Sequence, residues 1–223
     1  TPVLLLSDGY LANGSEPWLI PDVSSLPDIS TTFATETNHV NETTGEPEHW
    51  PYVRDPETLA RSWALPGTPG LMHRIGGIEK EDGTGNISYD PANHEYMVRM
   101  RARRIADIAN DIAPVAVEGD VDADVLVIGW GSTWGAIGTA VERIRAGGKK
   151  VARAHLTHLN PFPANLGEVL RSYKTVLVPE MNLGQLSRLL RAEYLVDAQS
   201  ITKIMGQPFT AAELVEHIQG ALA

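Results

Sequence analysis

The sequence predicts an α/β fold, a mostly parallel sheet covered by helices on both faces, with a long irregular arm ahead of it. Three observations predict it. From residue 91 onward, short apolar runs of strand length alternate with segments of helical periodicity. The preceding 90 residues hold nine of the 15 prolines and few periodic runs. The chain opens on "TPVLLLSDGYLANG", in which Val3, Leu4, Leu5 and Leu6 read as a buried strand running into a turn at Asp8-Gly9. Nothing in the next hundred residues obviously supplies that strand with sheet neighbours.

The arm follows. "SSLPDISTTFATETNHVNETTGEPEHW" is polar and rich in turn formers, and the next stretch sets Trp50, Tyr52, Trp63 and Leu65 among prolines and glycines. Aromatic anchors in such a segment predict an ordered, irregular arm packed on another surface, since a freely disordered linker is poorer in aromatics. Loops of this length are usually functional or interface-forming.

Regular structure starts at Asp90-Pro91, an N-cap acid followed by Pro at the first helical position. Met97, Met100, Ile105, Ile108 and Ile112 give an apolar stripe that ends before Pro114, and arginines 99, 101, 103 and 104 read as its solvated face. "DVLVIGW" then reads as a buried strand. "STWGAIGTAVERIRAGG" is a helix with Trp134, Ile137, Val141 and Ile144 on one face and a Gly-Gly stop. "KVARAHL" (strand), "ANLGEVLRSY" (helix), "TVLVPE" (strand), "NLGQLSRLLRAEY" (helix) and "DAQSITK" (a weaker strand) continue the alternation. "TAAELVEHIQGALA" closes it as a helix capped by Thr210, with Glu213 at the capping-box position. The βαβ order implies parallel strands.

Composition narrows the function classes. The formal net charge is −10, and residues 1–90 carry all of the excess, with 14 acidic and 4 basic side chains against 14 of each in the remainder. That argues against a nucleic-acid footprint, which needs a basic patch. No run approaches a membrane span and no signal peptide is recognisable, so the expected location is the cytoplasm. With no cysteine the chain makes no disulfide, offers no thiol nucleophile and ligates no iron–sulfur cluster. Asn41-Glu42-Thr43 matches a glycosylation acceptor by chance.

Several segments offer candidate chemistry. Gly129, Gly131 and Gly135 in "GWGSTWG" lie between a strand and a helix, where backbone N–H groups can hold a phosphate. The spacing is not that of a dinucleotide fingerprint, and the next strand lacks the acid that takes a ribose, so a tight turn is the better reading. His155 and His158 have no third ligand nearby, which disfavours a zinc site. Glu180 ends a strand at the sheet edge where ligands of open α/β sheets bind, and Asn182 beside it suits a helix N-cap. "LMHRIGGIEKEDGTG" sets His73, Arg74, Glu79 and Asp82 among glycines 76, 77, 83 and 85. It reads either as a mobile binding loop or as a solvated surface hairpin.

"PVLLLSDGYLANGSEPW", "LPGTPGLMHRIGGIEKEDGTGNISYDPANHEYMVRMR", "VLVIGWGSTWGAI", "LNPFP" and "VPEMNLGQLSRLLR" together resemble the α subunit of 2-oxoacid:ferredoxin oxidoreductases, most nearly the 2-oxoglutarate type. The resemblance runs over nearly the whole chain. It implies that residues 1–18 end a pyrimidine-binding thiamine-diphosphate domain, that 19–90 form a connecting arm, and that 91–223 form a domain similar to the transketolase C-terminal domain. It also implies oxidative decarboxylation of 2-oxoglutarate with coenzyme A, giving succinyl-CoA, carbon dioxide and reduced ferredoxin. Pyruvate or a branched-chain 2-oxoacid is the alternative substrate, and a non-enzymatic α/β scaffold the alternative of another class.

The family's Tyr-Pro-Ile-Thr-Pro motif, its glutamate for the aminopyrimidine and its substrate-binding arginine match nothing in this chain, so the principal catalytic residues are expected to precede Thr1. The 223 residues are accordingly expected to be a C-terminal portion, inactive alone and binding no cofactor alone. Thiamine diphosphate, Mg2+ and a [4Fe-4S] cluster belong to the complete complex. The implied partners are the β subunit, a second α subunit, the rest of the α subunit with its γ domain, and ferredoxin through the complex, with no nucleic acid and no membrane. His73, Arg74, Glu79 and Asp82 are expected at the entrance for substrate or coenzyme A, and Asp8, Asn13 and Glu16 at the edge of the cofactor domain.

Overall fold

The computed structural model describes residues 2–9, 13–14, 19–74, 76–120 and 122–222. The chain divides into two compact units, Trp18–Ile108 on one hand and Thr1–Pro17 with Ala109–Ala223 on the other.

The Trp18–Ile108 unit is held by short pairings. A 3-10 turn at Val23–Ser25 is capped by Asp22, whose carboxylate accepts from Ser24 N–H at 2.9 Å. Four two-residue strands follow: β1 (Phe33–Ala34), β2 (His39–Val40), β3 (Pro47–Glu48) and β4 (Trp63–Ala64). β1 pairs with β4 in parallel, and β2 with β3 antiparallel. Of the expected anchors, Trp50 stacks on His39 at 3.4 Å between ring centroids and donates from Nε1 to Glu48 at 3.0 Å. Tyr52 lies under the Arg61 guanidinium, 4.1 Å from its centroid. Trp63 and Leu65 are exposed within this unit. The helix of this unit, α1 (Pro91–Ala106), begins where the sequence says, with Ala92 N–H donating to Asp90 at 2.9 Å and Pro91 opening the first turn. It ends earlier than the apolar stripe predicts, passing into a 3-10 turn at Asp107–Asn110.

The second unit is an αβα sandwich. In chain order it contains β5 (Val117–Gly119), β6 (Val125–Trp130), α2 (Trp134–Ala146), β7 (Ala152–Leu156), α3 (Leu166–Arg171), β8 (Thr175–Glu180), α4 (Gln185–Tyr194), β9 (Ala198–Thr202) and α5 (Ala211–Ala221). The sheet order is β5-β7-β6-β8-β9, parallel throughout except for β5, which pairs antiparallel with β7. Strand side chains alternate between two cores. Leu126, Ile128, Val176 and Val178 face α3 and α4 through Leu166, Leu170, Leu186 and Leu190. Val125, Val127 and Leu177 face α2 and α5 through Ile137, Val141, Ile144, Leu214 and Ile218. Burial on both faces is why β6 reads as an unbroken apolar run.

Local signals stop and start these helices as expected. Gly147 caps α2 and Gly148 follows at φ 81°. Thr210 and Glu213 form the reciprocal capping box of α5. Gly119 is required by the backbone: at φ 113° a Cβ would lie 2.6 Å from the Val151 carbonyl oxygen.

Two expectations are corrected. Val3–Leu6 forms no strand among the described residues, and its four side chains are 65–92% exposed, because no described segment offers it a ladder. Trp134 does not join the buried face of α2; it is 55% exposed and packs under Arg153, 5.4 Å from the guanidinium carbon. Among the described residues no helix is long and apolar enough to cross a membrane.

Candidate functional site

The residues singled out in "LMHRIGGIEKEDGTG" do not form one group. The segment folds as a hairpin: Lys80 and Ile87 form an antiparallel bridge, Glu81 N–H donates to Asn86 at 2.7 Å, and Gly85 N–H donates back to Glu81 at 3.0 Å. Gly85 sits at φ 75°, where a Cβ would come within 2.7 Å of the Tyr52 ring, so the tight approach to Tyr52 needs glycine. Asn93 of α1 clamps the hairpin from the side, donating to the Lys80 carbonyl at 2.9 Å and accepting from Asp82 N–H at 3.0 Å.

Glu79 and Asp82 anchor cations. Arg101 donates to Glu79 at 3.2 Å, and His94 Nδ1 lies 2.6 Å from its other oxygen. The Arg101 hydrogen bond, then that of His94, hold the Glu79 carboxyl down at about 2. The contact's contribution to stability is therefore complete above the ordinary glutamate value and is lost as pH falls through about 2. Asp82 pairs with Arg54.

His73 and Arg74 lie elsewhere. His73 is exposed, its Nδ1 is 2.8 Å from the Leu71 carbonyl, and its ring centroid is 5.1 Å from that of His49. Arg74 is exposed. His49 itself is buried with neither ring nitrogen hydrogen-bonded. Burial, then the neighbouring His73, push its imidazole below the usual histidine value. Its depressed value makes its contribution to stability fully present above the ordinary histidine pKa of about 6.5 and progressively lost below it. We expect the unfolding temperature to fall between pH 7.5 and 5, and the H49F variant to show a shallower fall over that range. Parallel pH profiles for the two proteins would contradict this role.

The hairpin and α1 together enclose a cleft of about 360 Å³. Its charge is carried by Arg54, Arg61, Lys80, Arg101 and Arg104 against the single carboxylate of Glu79, and Tyr52, Ile78, Met97 and Met100 form its apolar wall. Met97, Arg101 and Arg104 share a helix face because four and then three residues separate them. The α1 arginines thus divide. Arg99 and Arg103 make exposed pairs with Glu95 and Asp107, as a solvated face should, while Arg101 and Arg104 turn to the cleft. Reading all four as one face missed this. The sequence shows only four scattered cations in an acidic first 90 residues, and it is the fold that brings three of them together here.

In the sandwich unit, Asp8 accepts from Ser132 N–H at 3.3 Å at the start of the turn leading into α2. The Gly-rich turn therefore already has a carboxylate of the chain at one of its N–H groups. Asn13 donates to the Gly9 carbonyl at 2.7 Å, and Glu16 lies outside the described residues. Glu180 is fully buried and accepts from Leu186 N–H at 2.8 Å and Ser187 N–H at 3.0 Å, so it caps α4 and does not face a ligand. Asn182 completes the turn, accepting from Gly184 N–H at 2.8 Å and Gln185 N–H at 3.0 Å. His155 lies in β7 with its imidazole held below its usual value by burial and by Arg153, whereas His158 is exposed. Among the described residues no three His, Asp or Glu side chains converge as a metal-ligand set.

Residues 123–214, most of the sandwich, match the family described as pyruvate:ferredoxin oxidoreductase core domain II. The 2-oxoglutarate oxidoreductase subunit KorA of Mycobacterium tuberculosis is 56% identical over the whole chain, which covers 33% of that protein. Subunit alpha of 2-oxoacid:ferredoxin oxidoreductase 1 from Aeropyrum pernix is 35% identical over 63% of the chain and 23% of its own length. Among solved structures, 2-oxoglutarate:ferredoxin oxidoreductase from Magnetococcus marinus, with 2-oxoglutarate, coenzyme A and succinyl-CoA bound, superposes with a TM-score of 0.73. It is 32% identical, and the match covers 84% of this chain and 32% of that one. The chain thus spans about a third of the length of the first of these relatives and less of the second. On sequence and fold alike, it belongs to the α-subunit family of the 2-oxoacid:ferredoxin oxidoreductases.

Proposed function

We propose that the chain is part of the α subunit of a 2-oxoglutarate:ferredoxin oxidoreductase. The complete enzyme interconverts 2-oxoglutarate, coenzyme A and oxidised ferredoxin with succinyl-CoA, carbon dioxide and reduced ferredoxin. The observation that carries this reading is the 56% identity, end to end, to a 2-oxoglutarate oxidoreductase subunit. The fold match to an enzyme of the same name supports it independently of that alignment.

In this reading, residues 1–18 end a pyrimidine-binding domain, 19–90 form a connecting arm, and 91–223 form a transketolase-C-like domain. Thiamine diphosphate with Mg2+ and the [4Fe-4S] cluster reside in the complete cytoplasmic complex with the β subunit, a second α subunit and the γ domain, and ferredoxin docks on that complex. With no cysteine, this chain supplies no thiolate ligand for the cluster. Its part in the reaction is scaffolding and ligand approach. His73 and Arg74, ahead of the Glu79–Asp82 hairpin, stand on the path by which coenzyme A or the 2-oxoacid reaches the cofactor.

The test is kinetic and uses the assembled complex. Ferredoxin reduction should require both 2-oxoglutarate and coenzyme A, and its absence would sink the whole reading. H73A/R74A should raise the KM for coenzyme A or the 2-oxoacid. Unchanged kinetics in that variant would remove the entrance role and leave the enzyme assignment standing.

A further inference from the structure

Five cations converge on the arm cleft, but the structure balances only two of them. Arg54 is paired with Asp82, and Arg101 with Glu79. Among the described residues Arg61, Lys80 and Arg104 have no carboxylate partner. Lys80 is the sharpest case: it is only 5% exposed, and its ammonium donates to the Ile78 carbonyl alone. A buried ammonium without a counter-charge is costly, and two half-buried guanidinium groups line the same cleft with no carboxylate to offset them. An anion bound among the three offsets them all.

The chemistry of that anion can be narrowed. A single carboxylate leaves two of the three cations uncompensated, whereas a phosphorylated ligand with two or more negative charges matches them. Guanidinium forks pair bidentately with phosphate oxygens, and a lysine contributes a point charge. Tyr52, Ile78, Met97 and Met100 offer an apolar wall beside the cations, suited to a flat base or sugar and wasted on inorganic phosphate. The volume of about 360 Å³ is at the lower end for a small-molecule site and fits a nucleotide better than a longer chain. The acidic balance of residues 1–90 makes the reversal at this one place more telling.

We propose that the cleft formed by Arg61, Lys80 and Arg104 binds a nucleotide carrying at least two phosphate charges. Such chemistry has two sources, the bisphosphorylated adenosine end of coenzyme A or a free nucleotide acting as an effector. The proposal stands on the cleft and not on the substrate assignment, and its primary readout is binding.

The experiment compares the assembled enzyme with its R61A/R104A variant by equilibrium dialysis, using adenosine 3′,5′-bisphosphate and ADP as probes. The wild type should bind a probe, with competition by inorganic tripolyphosphate and weakening at high salt. R61A/R104A should lose about tenfold or more in affinity, while R61K/R104K retains part of it. R99A/R103A, on the solvated face of α1, should bind as the wild type does. A parallel rise in the KM for coenzyme A assigns the site to coenzyme A, and lost binding with an unchanged KM assigns it to a separate nucleotide. No probe binding by the wild type, or equal binding by R61A/R104A, overturns the proposal. Loss of subunit assembly in R61A/R104A with no probe bound by the wild type also overturns it and marks the cleft as a protein contact. Tripolyphosphate competition on the wild type keeps the test decisive should the double variant fold poorly. A wild type that turns over 2-oxoglutarate yet binds no probe overturns this inference alone.

Discussion

Replacing Glu180 by alanine is expected to lower the stability of the sandwich by about 3 kcal/mol, a fall in Tm on the order of 6–12 °C. The reason is the start of α4. Its N-cap residue, Gly184, has no side chain to accept the orphan N–H groups, and the buried Glu180 carboxylate takes two of them from four residues upstream. Each charge-assisted bond is worth roughly 1.5–3 kcal/mol, and truncation leaves both donors buried without partners. Glu180→Gln, which keeps an acceptor but loses the charge facing the helix dipole, should cost about half as much. Urea unfolding followed by circular dichroism reads the difference. A loss under about 0.5 kcal/mol for the alanine variant would show that α4 does not depend on this cap.

Leu126→Ala should cost a comparable or larger amount, about 2–5 kcal/mol. Leu126 is fully buried in β6, the central strand, and packs into the core covered by α3 and α4. Two strands flank it on either side, so the surroundings can collapse little into the cavity. Leu189→Ala is the natural control. That leucine is on the adjoining α4 but half exposed, and its loss should stay within roughly 0.5 kcal/mol. Equal effects from the two substitutions would contradict the layered core described here.

Residues differed in how plainly they announced their places. The buried parallel strands were legible because burial on both faces turns each into a continuous apolar run, and α1, α2 and α5 carried their own caps at Asp90, Gly147 and Thr210. β5 was not legible: its three residues are exposed, and one is glycine, so only pairing with β7 makes it a strand. Val3–Leu6 shows the converse, an apolar run of strand length that forms no ladder among the described residues. Glu180 misled for a physical reason. The end of a parallel strand is both where ligands bind and where the next helix exposes its N–H groups, and a carboxylate there serves either purpose. The basic cleft was hidden because its cations come from separated positions, Arg54, Arg61, Lys80 and the Arg101/Arg104 pair, that only the hairpin and α1 bring together.

The measurement closest to the central claim is product analysis of the complex purified through this chain. Supplied with ferredoxin, coenzyme A and, in turn, 2-oxoglutarate, pyruvate or a branched-chain 2-oxoacid, it should form succinyl-CoA from 2-oxoglutarate as the dominant acyl-CoA detected by mass spectrometry. Acetyl-CoA or a branched acyl-CoA as the dominant product would move the chain to another substrate class. No acyl-CoA from any of the three would contradict the account.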